Sequence, residues 1–294
     1  MVHSPMKSET MSGKVVVITG GNSGIGRAVA EGLARFGAHV VLACRNETKA
    51  AQAAEAITSV TGTTVDTVHL DLADLASVRD AAAEILGRWD RLDILINNAG
   101  LVVRKRSVTR DGFETTFAVN RLGNALLTEL LLDRLRASAP SRIVMVSAHI
   151  HQIARSGLDF GDLQSARRYS PWLVYARSKL ANIYFADELT QRLRGSGVTV
   201  NAVHPGVVAT SLARDWNPGP LGNAALALFR PLVRTPEQAA DTVVWLASSA
   251  QVEGVTGGYF INRKPARLSR AARDRLAARR LWEETERMLA DGRP

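Results

Sequence analysis

Lys14-Val-Val-Val-Ile-Thr-Gly-Gly-Asn-Ser-Gly-Ile-Gly26 is the stretch whose reading decides the fold. A short β-branched run stopped by glycine predicts a buried strand over residues 14–20. A helix is expected over 24–37, and the loop between them is rich in glycine. Gly20 permits a tight turn, Gly24 lets backbone approach a pyrophosphate, and Gly26 allows close helix–strand packing. The helix N-terminus presents unpaired N–H groups and positive potential to phosphates. Gly20, Asn22, Ser23, Gly24, Ile25 and Gly26 are therefore expected to hold a dinucleotide. The bland alternative is an ordinary strand–turn–helix glycine cluster.

Outward from this loop the chain alternates strand and helix. Further strands are expected over 39–45, 65–72, 92–97, 142–147, 198–204 and 259–262. Helices are expected over 49–60, 77–89, 113–136 and 171–194. A last one opens on the capping box Thr235-Pro236-Glu237-Gln238 and runs to about Ala250. Strands apolar on both faces and separated by helices mean a parallel sheet covered on both sides. The expected fold class is α/β, a doubly wound parallel sheet (Rossmann-like), in a single domain with an appended C-terminal helix. Residues 1–12 read as a disordered polar lead, 13–262 as the dinucleotide-binding and catalytic domain, and 263–294 as a basic helical tail. In that tail Ala278, Leu281, Trp282, Thr285 and Met288 form one stripe at helical spacing, expected to pack on the body.

Composition bounds the function. The chain has 294 residues, 46% hydrophobic and 22% charged, as in an ordinary soluble globule. No apolar run is long enough for a transmembrane helix, and the N-terminus lacks the apolar block of a signal peptide. Cys44 stands alone, which rules out an intramolecular disulfide and a cysteine metal cage, and fits a reducing cytoplasm. The net charge is +9, and residues 263–294 hold ten Lys/Arg against five Asp/Glu. Without a nucleic-acid motif this reads as a solvated helix face, and no nucleic-acid partner is expected.

The tip of the second strand chooses between dinucleotides. NAD sites place an acid there for the ribose hydroxyls. Here it ends Ala43-Cys44-Arg45-Asn46, and Arg45 is suited to fork onto a 2′-phosphate with help from Lys49. NADP(H) is the expected cofactor, with NAD the weaker alternative.

Tyr175 and Lys179 lie four residues apart, so a helix would project both from one face. An ammonium about 4 Å from the phenol, at a dielectric of about 20, is worth roughly 4 kcal/mol, or about three pKa units. That would bring the phenol into working range for acid–base catalysis.

Together these residues resemble the short-chain dehydrogenase/reductase family. The match is TGGNSGIG at 19–26, Asp71, Asn97-Asn98-Ala99-Gly100, Asn120, Ser147, Tyr175-x-x-x-Lys179 and Pro205-Gly206 with Thr210, in family order across 13–262. LACRNETKA, Ser178-Lys-Leu-Ala-Asn182, Val203-His204-Pro205-Gly206 and the long interval from Ser147 to Tyr175 resemble the branch of retinol dehydrogenases and protochlorophyllide reductases. The anchoring N-terminal helix of several animal retinol enzymes is not expected here. The resemblance implies that Tyr175 is the general acid/base and that Lys179 lowers its pKa and binds the nicotinamide ribose. Ser147 would hold the reacting oxygen, and Asn120 a water leading to Lys179. Asp71 and Leu72 would flank adenine, with Asn98, Ala99 and Gly100 walling the ribose. Pro205, Gly206, Val208 and Thr210 would bind the cofactor, the stretch from Val207 to Thr210 meeting the nicotinamide carboxamide. Taken singly, each has a structural reading: a strand terminus, a solvent-facing amide, a core tyrosine with a snorkelling lysine.

His149 and His151 follow Ser147, and His204 follows the sixth strand. They read as polar lining of the substrate mouth, and no metal is expected. Residues 211–235 would cover the crevice. The apolar stretch 221–233 reads as a lid or an oligomer contact, with a hinge at Pro218, Gly219, Pro220 and Gly222. An apolar lid favours a lipophilic alcohol or carbonyl. The expectation is an NADP(H)-dependent oxidoreductase interconverting the two. Reduction of an activated double bond is the runner-up, and a non-catalytic NADP-binding regulator the rival. A homo-oligomer, dimer or tetramer, is expected through the long helices, one face of which the tail could block.

Overall fold

The computed structural model describes residues 10–206 and 234–291. Its first half runs β1 (Val15–Thr19), α1 (Gly24–Arg35), β2 (His39–Cys44), α2 (Glu47–Thr61), β3 (Val65–His69), α3 (Leu75–Arg88) and β4 (Ile94–Asn97). The helical stretch after β4 is α4 (Thr115–Phe117), a π turn (Ala118–Leu122) and α5 (Gly123–Ala137). Then follow β5 (Ser141–Val146), α6 (Pro171–Arg192), β6 (Val198–Val203), α7 (Pro236–Ser248), β7 (Tyr259–Ile261), β8 (Lys264–Pro265) and α8 (Arg275–Asp291).

These strands form one sheet in the order β3-β2-β1-β4-β5-β6-β7-β8. Neighbours are parallel throughout except for β7 and β8. Alternation inside each buried strand feeds two cores. Val17, Val41, Leu95, Ile143 and Val200 face α3, α5, α6 and α8. Val16, Ile18, Leu42, Ile96 and Val144 face α1, α2 and α7. Such two-sided burial is why the strands read as continuous apolar runs. The ends are set by side chains close in sequence. Asn46 caps α2, Asp74 caps α3, and the Thr235/Gln238 capping box opens α7.

Three details differ from the sequence expectation. The single helix expected over 113–136 is broken by the π turn that contains Asn120; one extra residue per turn leaves too small a trace in the apolar pattern to be read. The sheet does not stop at residue 262. Asn262 and Arg263 take φ of 55° and 57° and reverse the chain into β8. The lead is not loose up to residue 12: the Met11 N–H donates to the Phe36 carbonyl at 2.7 Å and its side chain is buried. Residues 1–9 lie outside the description. The tail packs on the body as its stripe predicted, and its apolar side chains join the main core. Ala278, Leu281, Trp282, Thr285 and Met288 are all buried. Trp282 stacks on Phe185 of α6 at 5.3 Å, and Arg192 lies 4.3 Å over the indole. Among the described residues no helix is long and apolar enough to cross a membrane.

Candidate active site

The glycine loop is built to approach another group closely. Gly20 and Gly24 have φ of +66° and +52°, which other residues rarely adopt. A Cβ on Gly26 would stand 2.4 Å from the Gly20 carbonyl oxygen, so α1 packs there only without a side chain. Ser23, the residue before α1, makes no side-chain cap, and the first turn holds no acid. The leading N–H groups of α1 are thus left for an anion, and the loop fits a dinucleotide pyrophosphate.

The end of β4 is stitched onto this loop by Thr19, which is fully buried. Its hydroxyl accepts from the Asn98 and Ala99 N–H groups at 3.0 Å and donates to Asn124 Oδ1 at 3.1 Å. Asn98 Nδ2 returns a bond to the Thr19 carbonyl at 2.9 Å. Asn98 and Ala99 therefore lie beside Gly20, with Gly100 next in the chain. Thr19 heads the loop motif, but its role as a hub was not legible, and the only trace of Asn124 was its spacing of one helical turn from Asn120.

Asn120 turns inward from the π turn. Its Oδ1 accepts from the Leu101 N–H at 2.7 Å, and its Nδ2 donates to the Leu101 carbonyl at 3.0 Å and to Ser178 Oγ at 2.9 Å. Tyr175 and Lys179 share a face of α6, with Nζ 5.6 Å from the ring centroid. Trp172, one turn earlier, sits edge-on to the Tyr175 ring at 6.3 Å. Along this face exposure falls from Trp172 through half-buried Tyr175 to buried Lys179. Lys179 Nζ donates to the Val146 carbonyl at 3.1 Å. A Cβ on Gly100 would lie 3.1 Å from Nζ and 3.2 Å from Asn120 Oδ1, so both groups converge on that glycine.

Two expectations change at this point. Burial pushes the Tyr175 phenol up to about 12 and pulls the Lys179 ammonium down to about 8. The expected lowering of the phenol is not seen: the ammonium beside the ring is itself desolvated, and burial dominates at both groups. Ser147, just past β5, donates its hydroxyl to the Lys179 carbonyl at 2.8 Å, so its proton points into the fold.

The remaining expected positions divide. Arg45 is exposed just past β2, beside Asn46. Asp71 accepts on Oδ1 from the Ala73 N–H at 2.9 Å, and the Leu72 side chain belongs to the core. Pro205 and Gly206 follow β6, Gly206 at φ +105°. Val208, Thr210, the hinge and the apolar stretch 221–233 lie outside the described residues. His149 packs 5.7 Å from His204 and 6.4 Å from His151. Only His149 of the three is exposed; His151 is buried, with Nδ1 on the Ala148 carbonyl at 2.8 Å, and does not line a mouth. Among the described residues no group of three or more His, Cys, Asp or Glu is placed to hold a metal.

Comparison with known proteins gives this arrangement a family. Residues 20–261 match a family model described as enoyl-(acyl carrier protein) reductase. Human "Retinol dehydrogenase 14" is 44% identical over 297 residues, spanning 95% of this chain and 87% of that protein. The chain belongs to the short-chain dehydrogenase/reductase family. Members of this oxidoreductase family with solved structures share the fold. An uncharacterized protein of Mycobacterium paratuberculosis is 34% identical with a TM-score of 0.76, over 96% of this chain and 95% of that one. A protein of Beutenbergia cavernae, described as an NAD(P)-dependent gluconate 5-dehydrogenase with NADP bound at low occupancy, is 30% identical with a TM-score of 0.70, over 86% and 96%.

Proposed function

We propose that this short-chain dehydrogenase/reductase is an NADP(H)-dependent oxidoreductase that interconverts an alcohol and its carbonyl on a lipophilic small molecule. The observation that carries the reading is the convergence of Lys179 Nζ and Asn120 Oδ1 on Gly100, with Tyr175 on the same face of α6. The retinol dehydrogenase relatives and the NADP-bound neighbour support it. When bound, the nicotinamide supplies or accepts the hydride at the reacting carbon. Gly20, Asn22, Ser23, Gly24, Ile25 and Gly26 hold the pyrophosphate, and Arg45 holds the 2′-phosphate. Tyr175 gives its phenolic proton to the carbonyl oxygen in reduction and takes it back in oxidation. Lys179 stabilises the phenolate left behind, and Asn120, through its bonds to Leu101 and Ser178, fixes the floor under both. Ser147 must turn its hydroxyl away from the Lys179 carbonyl to hold the substrate oxygen.

Two measurements test this. Tyr175→Phe is expected to lose kcat by about 10²–10⁴-fold while keeping NADPH affinity; near-normal turnover removes the phenol from proton transfer. Arg45→Asp is expected to lower kcat/KM with NADPH by roughly 10- to 100-fold and to spare NADH. A wild type that prefers NADH overturns the cofactor assignment. The family model's description favours one second reading, reduction of an activated double bond. NADPH oxidation by an enoyl thioester but by no carbonyl in a panel would establish it instead.

A further inference from the structure

Residues 263–282 carry eight Lys/Arg against one Asp, most of the chain's net charge of +9. Arg267, Arg270, Arg273, Arg275, Arg279 and Arg280 are all exposed. Leu276 stands among them, 80% exposed. The 3₁₀ turn Ala271–Arg273 packs against the 3₁₀ turn His149–Ile153, which begins two residues after Ser147. There Ile153 is 51% exposed, and exposed Arg155 follows it. The contact between the two turns thus brings exposed cations and apolar side chains of both segments near the end of β5.

The charge order of α8 runs against its own stability. Arg275, Arg279 and Arg280 fill its first two turns, and Glu283, Glu284, Glu286 and Asp291 come later. A helix dipole favours the reverse order. Asp274 caps the first turn on the Ala277 N–H at 3.0 Å, Asp187 lies 3.9 Å from Arg275 and Arg280 sits 4.4 Å over the Phe160 ring, which offsets part of that cost; an anionic surface against the first turns would offset more. Two large apolar side chains amid the arginines suit the boundary between headgroups and acyl chains. They offer nothing to a phosphodiester backbone, and Trp282, the one aromatic of the segment, is buried and cannot stack on bases.

We propose that the turn Ala271–Arg273, the first half of α8 and Ile153 form a docking face for an anionic lipid bilayer, with the mouth beside Ser147 turned toward the membrane. The attachment stands on the surface alone; delivery of a lipophilic substrate from the bilayer rests on the alcohol–carbonyl reading. The test is sedimentation of the full chain with vesicles of phosphatidylglycerol and phosphatidylcholine, or of phosphatidylcholine alone. Binding is expected only to the anionic vesicles and is expected to weaken as salt rises. Arg270→Glu/Arg273→Glu/Arg279→Glu is expected to weaken it on the order of a hundredfold. Leu276→Asp, a single exposed change, is expected to weaken it about tenfold with unchanged circular dichroism. No retention by anionic vesicles at low salt, equal retention by neutral ones, or capture by duplex DNA in place of vesicles overturns the proposal. The readout needs no turnover, so failure of docking and failure of the alcohol–carbonyl reading are separately visible.

Discussion

At the scale of single residues, burial rather than charge sets the protonation of the proposed acid–base pair. A phenol pushed to about 12 stays protonated through neutral pH, ready to donate to a carbonyl oxygen. Lys179, pulled down to about 8, keeps its charge below that pH and loses it above. Reduction turns Tyr175 into a phenolate, which the ammonium stabilises only while charged. For carbonyl reduction kcat/KM, which reports groups of the free enzyme, is therefore expected to be level from about pH 6 to 7.5 and to fall above about pH 8. Lys179→Arg, whose guanidinium does not titrate in this range, is expected to remove that limb from whatever activity remains. A pH–rate profile checks this, and an unchanged limb in the variant would assign it to another group.

At the scale of elements, what the sequence made legible is what local chemistry dictates. The strand–glycine–helix unit, the helical Tyr175/Lys179 spacing and the Thr235 capping box were readable because each depends on neighbours within a few residues. The π turn around Asn120, the Thr19 hub and the inward Ser147 hydroxyl were not, because each is decided by a partner 19 to 105 residues away. The tail shows both cases. Its apolar stripe announced a packed face, but not that Arg121 would be fully buried against it, 4.2 Å over Phe185 and 3.1 Å from Thr285 Oγ1. Because Arg121 follows Asn120 in the π turn, α8 buttresses the element that carries the site. Trp282→Ala removes the stack on Phe185 and is expected to cost about 3–5 kcal/mol. Urea unfolding measures it; a loss under 1 kcal/mol would mean that α8 adds nothing to the core.

At the scale of the whole molecule, stability and the site are linked through the histidines at the ends of β5 and β6. His204 is buried, and that burial, with His149 and Arg234 nearby, pulls it from 6.5 down to about 4; burial lowers His151 as well. Between pH 6.5 and 4 the unfolded chain takes up a proton that folded His204 refuses, so stability falls as pH drops through this window. At pH 4.5 the shift corresponds to about 2 kcal/mol lost relative to pH 7. Lys179 acts in the same sense at the alkaline end: its depressed value makes stability rise between about pH 8 and 10.5, until Tyr175, raised from 10 to about 12, reverses the trend. The acid limb is the cleaner test because His204→Gln keeps a polar side chain and cannot titrate. Urea midpoints at pH 7 and 4.5 are expected to drop less in the variant than in wild type, by about 2 kcal/mol when converted to free energy. Equal drops in the two proteins would show that the acid limb comes from elsewhere in the molecule.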